Sequence, residues 1–395
     1  IDERSVEVED DRAAVEHVRM LSCAAAAAAR RNLEGRPRGS VAVAVPSRKI
    51  PVAVLGATGL VGQRMISLLD GHPWFELAEV AASERSAGRP YAEAADWKLP
   101  GGAPRAAARM IVKPCDPRRV EAAVVLSALD SSVAGEVETA FRAAGRAVVT
   151  NAKNHRADDD VPLVVPEINA DHLALIDVQR RRHGGFIVAN ANCSVIPLAI
   201  ALAPLQRAAG VKRAIVTTLQ AASGAGYPGV PSLDLIDNVV PYIGGQEREK
   251  IESEPLKILG ALAGDRVAPA PITISAQVHR VPVIDGHLVS AHVETERPLD
   301  VAAARAALAS FRGAPQELGC PSAPDPVCVV LDAIDRPQPR LDREAGRGMA
   351  VTIGQLRACP VLGLHLSVLG HNTLRGAAGG TILVAETLAA QGRLA

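Results

Sequence analysis

The feature that most constrains the fold of this 395-residue chain is a junction near residue 56. Lys49-Ile50-Pro51-Val52-Ala53-Val54-Leu55 is a short apolar run, β-branched in part, of the kind that forms a buried parallel strand. Gly56-Ala57-Thr58-Gly59-Leu60-Val61-Gly62 follows without a gap, and Gln63–Leu69 then has helical spacing. Strand, glycine turn and helix in that order let the backbone approach a ligand closely, with the helix N-terminus facing it. A glycine triplet alone reads as a structural turn as readily as a binding loop. The strand–turn–helix context favours a dinucleotide pyrophosphate.

The pattern continues downstream. Leu77–Ala82, Val124–Leu129 and Ala147–Thr150 read as strands, with a helix over Glu136–Ala144 between the last two. Strands alternating with helices imply a doubly wound parallel sheet, an α/β fold. Past residue 192 the texture changes. Val211–Leu219, Ile274–Val283, His287–Thr295, Ala350–Leu356 and Val361–Leu369 are strand-like, and 196–208 is helical. Ile284-Asp285-Gly286 reads as a hairpin turn joining two of these strands. A mostly antiparallel sheet covered by helices is expected there, followed by a Gly-rich and then helical segment from Asn372 to Leu394. The division predicted is a nucleotide-binding domain at 50–191, rejoined by the C-terminal helix 371–395, and an α+β catalytic domain at 192–370. Residues 1–49 open acidic, pass through an alanine run and end basic. They are expected to be an extension, disordered or partly helical, and the acidic start argues against a transit peptide.

Lys+Arg and Asp+Glu balance at 43 each. No global field therefore recruits nucleic acid, and a charged ligand must be met by local groups. Aromatic residues are only 2% of the chain, so aliphatic residues must build the core. Six cysteines show no CxxC pair, and no secretory segment or membrane span is apparent. Reduced thiols, a cytoplasmic location and no bound metal are expected.

Near the end of the second strand, Glu84 could serve the ribose of NAD. Ser83, Arg85 and Ser86 instead offer hydroxyls and a guanidinium suited to a 2′-phosphate, so NADP is favoured over a merely solvated loop. Cys193 lies just before the 196–208 helix, where a helix dipole would lower a thiol pKa. Isolated cysteines are more often buried apolar residues than nucleophiles. Asn192 and the glycine-rich Gln220–Gly229 segment raise the functional reading. Among ten histidines, most of which sit in contexts such as His72-Pro73 or His183-Gly184 and read as surface residues, His287 follows the expected turn, seven residues after Arg280. Across a hairpin the two would flank one pocket, with Arg280 placed to clamp a carboxylate.

Taken together these segments resemble aspartate-semialdehyde dehydrogenase, in particular its archaeal and fungal branch. The resemblance spans residues 50 to 391. It rests on GATGLVG, SERSAG, NAKNHR, VPLVVPEIN, NANCS, QAASGAGYPGVPSLD, IGGQEREKIESEPLKILG, RVPVIDGH and HNTLRGAAGGTIL. It implies a glyceraldehyde-3-phosphate dehydrogenase-like architecture: a Rossmann-type NADP-binding domain joined to an α+β catalytic and dimerisation domain. It also implies NADPH-dependent reductive dephosphorylation of L-4-aspartyl phosphate to the semialdehyde through a cysteine thioester. That reaction serves the biosynthesis of lysine (through diaminopimelate), methionine, threonine and isoleucine. By position, Cys193 would be the nucleophile, His287 the acid/base and Gln220 an orienting group. Arg280 would hold the substrate carboxylate, Glu247 its amino group, and Lys250 and Arg156 the phosphate. Gly56, Thr58, Gly59, Leu60, Val61, Ser83, Arg85, Ser86, Ser223, Gly224 and Asn372 would line NADP. A homodimer or homotetramer acting on small molecules, without nucleic acid or membrane, is implied.

The chain departs from the family at Gly244-Gly245-Gln246-Glu247-Arg248-Glu249-Lys250, where Gly-Gly-Glu-Glu-Glu-Lys is frequent. Alignment on Glu-x-x-Lys keeps Glu247 and Lys250 one helical turn apart. A malonyl-CoA reductase shares this branch, but Glu247 argues for an amino-acid substrate. A non-catalytic nucleotide sensor would have no need of Cys193, His287 and Arg280 together.

Overall fold

The structure is a computed structural model that describes Pro46 and residues 48–394. The expectations for the N-terminal extension otherwise fall outside the described residues. Two sheets organise the rest. The first contains β1 (Ile50–Leu55), β2 (Phe75–Ala82), β3 (Lys113–Pro114), β4 (Val124–Ser127), β5 (Ala147–Thr150), β6 (Leu163–Val164) and β7 (Phe186–Asn190). Its order is β3-β2-β1-β4-β5-β7-β6, and every pairing is parallel. Strand order reverses at β1, which lies between β2 and β4. Ligand clefts form at such switch points, beyond the carboxyl ends of the strands.

Alternation along β1 shows why the sheet is buried on both faces. Ala53 and Leu55 join one apolar core with Val125, Val148 and Ile187. Val52 and Val54 join another, with Met65 and Ile66 of helix α1 (Leu60–Leu69) and with Ile382, Leu383 and Leu388 near the C-terminus. The first core continues through helix α2 (Val195–Ala209) into one face of the second sheet.

That second sheet contains β8 (Val211–Gln220), β9 (Thr273–Arg280), β10 (His287–Thr295), β11 (Cys328–Val330), β12 (Val351–Cys359) and β13 (Gly363–Gly370), in the order β9-β8-β10-β13-β12-β11. It is mixed, because β9 runs parallel to β8 and β11 parallel to β12. The expected hairpin at 284–286 is not there: β8 lies between β9 and β10 and pairs with both. The connecting segment passes across the end of β8, where its backbone is claimed by the neighbouring loop. Val281 donates to Gln220 O at 3.0 Å, and Val283 O and Ile284 O accept from Ala222 and Ser223 at 2.7 and 3.1 Å. A hairpin would have left those groups to pair between β9 and β10. Helix α3 (Glu247–Ile258) packs on β9, and helix α4 (Gly379–Ala390) closes the first sheet's second core.

His72, read from sequence as a surface residue, is buried. Its Nδ1 accepts from the Trp74 and Phe75 amides, and its Nε2 sits 2.8 Å from Glu386 of α4.

The glycine turn is tight enough to dictate its composition. A Cβ on Gly62 would stand 2.3 Å from Gly56 O, and one on Gly56 would stand 2.5 Å from Ala128 O, with φ there at +69°. Both obstacles are backbone, so neither can swing aside. Gly62→Ala is therefore expected to destabilise the fold by about 1–3 kcal/mol through overpacking and to weaken dinucleotide binding. Thermal denaturation with and without cofactor measures both, and an unchanged melting temperature would refute the packing argument.

Candidate active site

The carboxyl end of β8 gathers the chemistry. In register, Arg280 of β9 stands opposite Gln220, and Leu288, next to His287, stands opposite Leu219. Arg280 and His287 thus flank the same strand end, as the sequence suggested, but from either side of β8 and not across a turn. Gly224 fits between them. A Cβ there would lie 2.7 Å from Arg280 Nη1 and 2.9 Å from His287 Nε2.

Cys193 is brought in from the first sheet, three residues past the end of β7 and at the threshold of α2. Its Sγ lies 3.3 Å from His287 Nε2. The Ala221 amide donates to His287 Nδ1 at 3.0 Å. The neutral imidazole therefore carries its proton on Nε2, pointed at the sulfur. Asn372 braces this arrangement: its Oδ1 accepts from the Gly286 amide and its Nδ2 donates to Ser223 Oγ, both at 2.8 Å.

Helix α3 supplies the charged wall. Gln246 takes a left-handed conformation (φ +62°, ψ 36°) immediately before the helix, which absorbs the departure seen in sequence and leaves Glu247 as the first helical residue. Glu247 is buried and accepts from Asn192 Nδ2 (3.0 Å), Gln220 Nε2 (3.1 Å) and Lys250 Nζ (3.1 Å). Arg156 Nη1 is 3.0 Å from Glu254 Oε1. Arg280 Nη1 donates to Ala221 O at 2.8 Å and, among the described residues, has no carboxylate partner.

These groups line one cavity of about 560 Å³ that holds Cys193, Gln220, Ser223, Gly224, Glu247, Lys250, Arg156, Arg280 and Asn372. His287 is fully buried behind it. A second cleft of about 550 Å³ runs along Gly56, Thr58, Gly59, Leu60, Val61 and Ser83. Leu60, Val61, Leu129, Asp130, Asn151 and Gly226 line both, so the cleft opens onto the cavity. Arg85 and Ser86 line neither, although Ser83 beside them does. The cation in the cleft is Lys98, stacked 4.5 Å over the Tyr227 ring and paired with Asp96.

Electrostatics depart from the helix-dipole expectation. Burial pushes the Cys193 thiol up to about 12, and Glu247 pushes the same way, while Arg156, Arg280 and Lys250 oppose. The start of α2 gives limited help, because Asn192 Oδ1 already accepts from the Ser194 and Val195 amides. Burial also drops His287 to about 3, helped by Arg280 and His371.

Comparison with known proteins follows the same lines. Residues 51–176 match the family model "Semialdehyde dehydrogenase, NAD binding domain", and residues 202–375 match "Semialdehyde dehydrogenase, dimerisation domain". An aspartate-semialdehyde dehydrogenase of Archaeoglobus fulgidus is 49% identical over 339 residues, 85% of this chain and 97% of that protein. One of Methanothermobacter thermautotrophicus is 50% identical over 344 residues, covering 86% and 99%. The chain belongs to the aspartate-semialdehyde dehydrogenase family. A crystal structure of aspartate-semialdehyde dehydrogenase with NADP from Candida albicans superposes with a TM-score of 0.82 at 42% identity, covering 88% of this chain and all of that one. As a member of the aspartate-semialdehyde dehydrogenase family the chain is an oxidoreductase of amino-acid biosynthesis with a nicotinamide-dinucleotide domain and a dimerisation domain. No helix among the described residues is long and apolar enough to cross a membrane.

Sequence reasoning missed Lys98 and Glu254. Glu254 had a usable signal, since Glu247, Lys250 and Glu254 recur at i, i+3 and i+7, one face of a helix. Lys98 lies in a loop whose course no periodicity reveals.

The state of His287 has a consequence for stability. The folded protein keeps the imidazole neutral, whereas the unfolded chain takes up a proton near pH 6.5. Below that value the unfolded state binds a proton that the folded state refuses, so stability present above pH 6.5 drains away as pH falls toward 3. His287→Asn should lose less stability than the parent between pH 7 and 5 in urea titrations. Parallel losses in the two proteins would contradict the buried neutral imidazole.

Proposed function

We propose that the chain catalyses NADPH-dependent reductive dephosphorylation of L-4-aspartyl phosphate to L-aspartate 4-semialdehyde through a thioester on Cys193. The observation that carries this reading is the contact between Cys193 Sγ and His287 Nε2, 3.3 Å, on a cavity whose charged walls match the substrate. Arg280 suits the α-carboxylate, Glu247 the ammonium, and Arg156 with Lys250 the phosphate.

The residues of the cleft fit a dinucleotide. Gly59 caps α1 without a side-chain bond and the first turn holds no acid, so the helix start is open to a pyrophosphate. Ser83 stands in the cleft just beyond β2, and Lys98, ion-paired with Asp96, lines it as well. Both support a 2′-phosphate and hence NADP. When bound, that cofactor supplies the hydride.

Cys193 attacks the acyl carbon, its thiol proton passing to the departing phosphate, which leaves from the side of Arg156 and Lys250 and gives the thioester. Reduction then produces a thiohemiacetal whose C–S bond breaks to release the aldehyde and the cysteine sulfur. His287 holds a proton at Nε2 throughout. From there it donates to the sulfur at rest and to the oxyanion as charge develops, the acid side of the role expected from sequence. Pairing of Glu247 with the substrate ammonium removes one of the two influences that hold the thiol neutral. Gln220, tied to Glu247 and Thr218, keeps the reacting carbon over the sulfur. A homodimer or homotetramer formed through the dimerisation domain, in the cytoplasm, completes the reading.

Phosphate-dependent NADP reduction with aspartate semialdehyde is the direct test, with NAD and malonyl-CoA run beside it. Cys193→Ala should abolish turnover while NADP still binds; substantial residual activity would exclude the thioester. For the substrate carboxylate, Arg280→Lys should preserve the melting temperature but cost about 2–4 kcal/mol in kcat/KM, because an ammonium cannot reproduce the guanidinium fork. A lowered melting temperature with normal catalytic efficiency would instead make Arg280 a structural residue.

A further inference from the structure

Glu254 lies one turn beyond Lys250 on α3 and has no part in the reaction as described so far. Its carboxylate makes two contacts that join separate pieces of the site. Oε1 takes Arg156 Nη1 at 3.0 Å, and Oε2 takes the backbone amide of Asn192 at 2.7 Å. Asn192 is the residue before the nucleophile. Arg156 is further held by Nη2 on Asn151 O at 2.9 Å, while its Nε is buried with no acceptor among the described residues. Arg156, Asn192 and Glu254 are each less than a tenth exposed.

Resting on Arg156 as part of the phosphate site, we infer that Glu254 is a positioning residue: one carboxylate sets the place of the phosphate-binding guanidinium relative to the peptide that carries Cys193. The two oxygens have separable jobs. Arg156 comes from the loop after β5 and Cys193 from the loop after β7; the two strands pair and Asn190 Nδ2 donates to Asn151 Oδ1 at 3.1 Å, but it is Glu254 that ties the guanidinium itself to the Asn192 peptide. Attack on an acyl phosphate needs the sulfur at the carbon while the leaving phosphate is held a bond further on, so an error in that spacing raises the barrier directly. Glu254 sets this spacing before substrate arrives. It also keeps the buried guanidinium paired, and Nε remains for an incoming phosphate oxygen.

The two jobs are distinguished by substitution. The amide oxygen in Glu254→Gln can still accept from Asn192, but the Arg156 ion pair is lost. Glu254→Leu loses both. Without phosphate, semialdehyde and NADP give a burst of NADPH as the thioester forms, and steady-state turnover then requires phosphate. Glu254→Gln should raise the KM for phosphate about 10-fold or more while slowing the burst less than about 3-fold; Glu254→Leu should slow the burst about 10-fold as well. Equal loss of burst and phosphate turnover in the Gln variant, or a phosphate KM within about 2-fold of the parent, would overturn the inference. Should the Gln variant not fold, Glu254→Asp keeps the charge but is one methylene short, and it should raise the phosphate KM about 3-fold; an unchanged value overturns the inference equally. Arg156→Gln is measured alongside. A normal phosphate KM there would remove the phosphate reading of Arg156 and the inference with it. A raised one with a normal Glu254→Gln would remove the inference alone.

Discussion

Strand β8 stands between β9 and β10, and the register of that triplet decides where the reactive groups meet. Gln220 ends the strand, Arg280 is its partner on one side, and His287 enters beside it on the other. The same strand end turns into the loop whose Ala221 amide fixes the imidazole tautomer and whose carbonyl holds the Arg280 guanidinium. A shift of β8 by one residue would turn Gln220 to the other face of the sheet and break both contacts at once. Everything else in the site is delivered to this row: the sulfur by the loop after β7, the carboxylates and ammonium by α3.

Charge in the cavity is largely paired internally. Lys250 leans on Glu247 and Arg156 on Glu254, and Asn192 touches both carboxylates, one through its side chain and one through its amide. Buried ions need such partners, since an unpaired one carries a large desolvation penalty. A triply charged substrate therefore exchanges partners with the protein more than it adds new ion pairs. The high thiol pKa belongs to the same balance: burial and Glu247 raise it, and the cations that oppose them are shared with carboxylates or a carbonyl.

Much of this was legible in the sequence. The glycine turn after an apolar strand announced the parallel sheet, and the alternation of strands and helices announced its extent. Cys193, His287, Arg280, Glu247 and Lys250 meet at one cavity because motif residues near element ends are carried there by the ladders. Pairing was less legible. The run 274–295 looks like a hairpin because two apolar strands flank Asp285-Gly286, and nothing local says that β8, more than fifty residues earlier, will come between them. Arg85 was read as a 2′-phosphate partner because its guanidinium follows the second strand; it is exposed on a turn and does not line the cleft, which Lys98 reaches from a loop. His72 looked exposed beside Pro73. Its partner, Glu386, is at the far end of the chain.

That last pairing belongs to a larger arrangement. The apolar surface of α1 and the outer face of β1 and β4 are covered by α4, whose Ile382, Leu383, Val384 and Leu388 complete the core of a sheet begun more than three hundred residues before. During synthesis the nucleotide-binding half thus emerges with one face only partly covered, by α1 and the 173–176 segment, and it stays so while the entire second sheet is made. Its core waits on a helix encoded after the second sheet, so vectorial synthesis cannot mature the two halves in the order in which they are encoded.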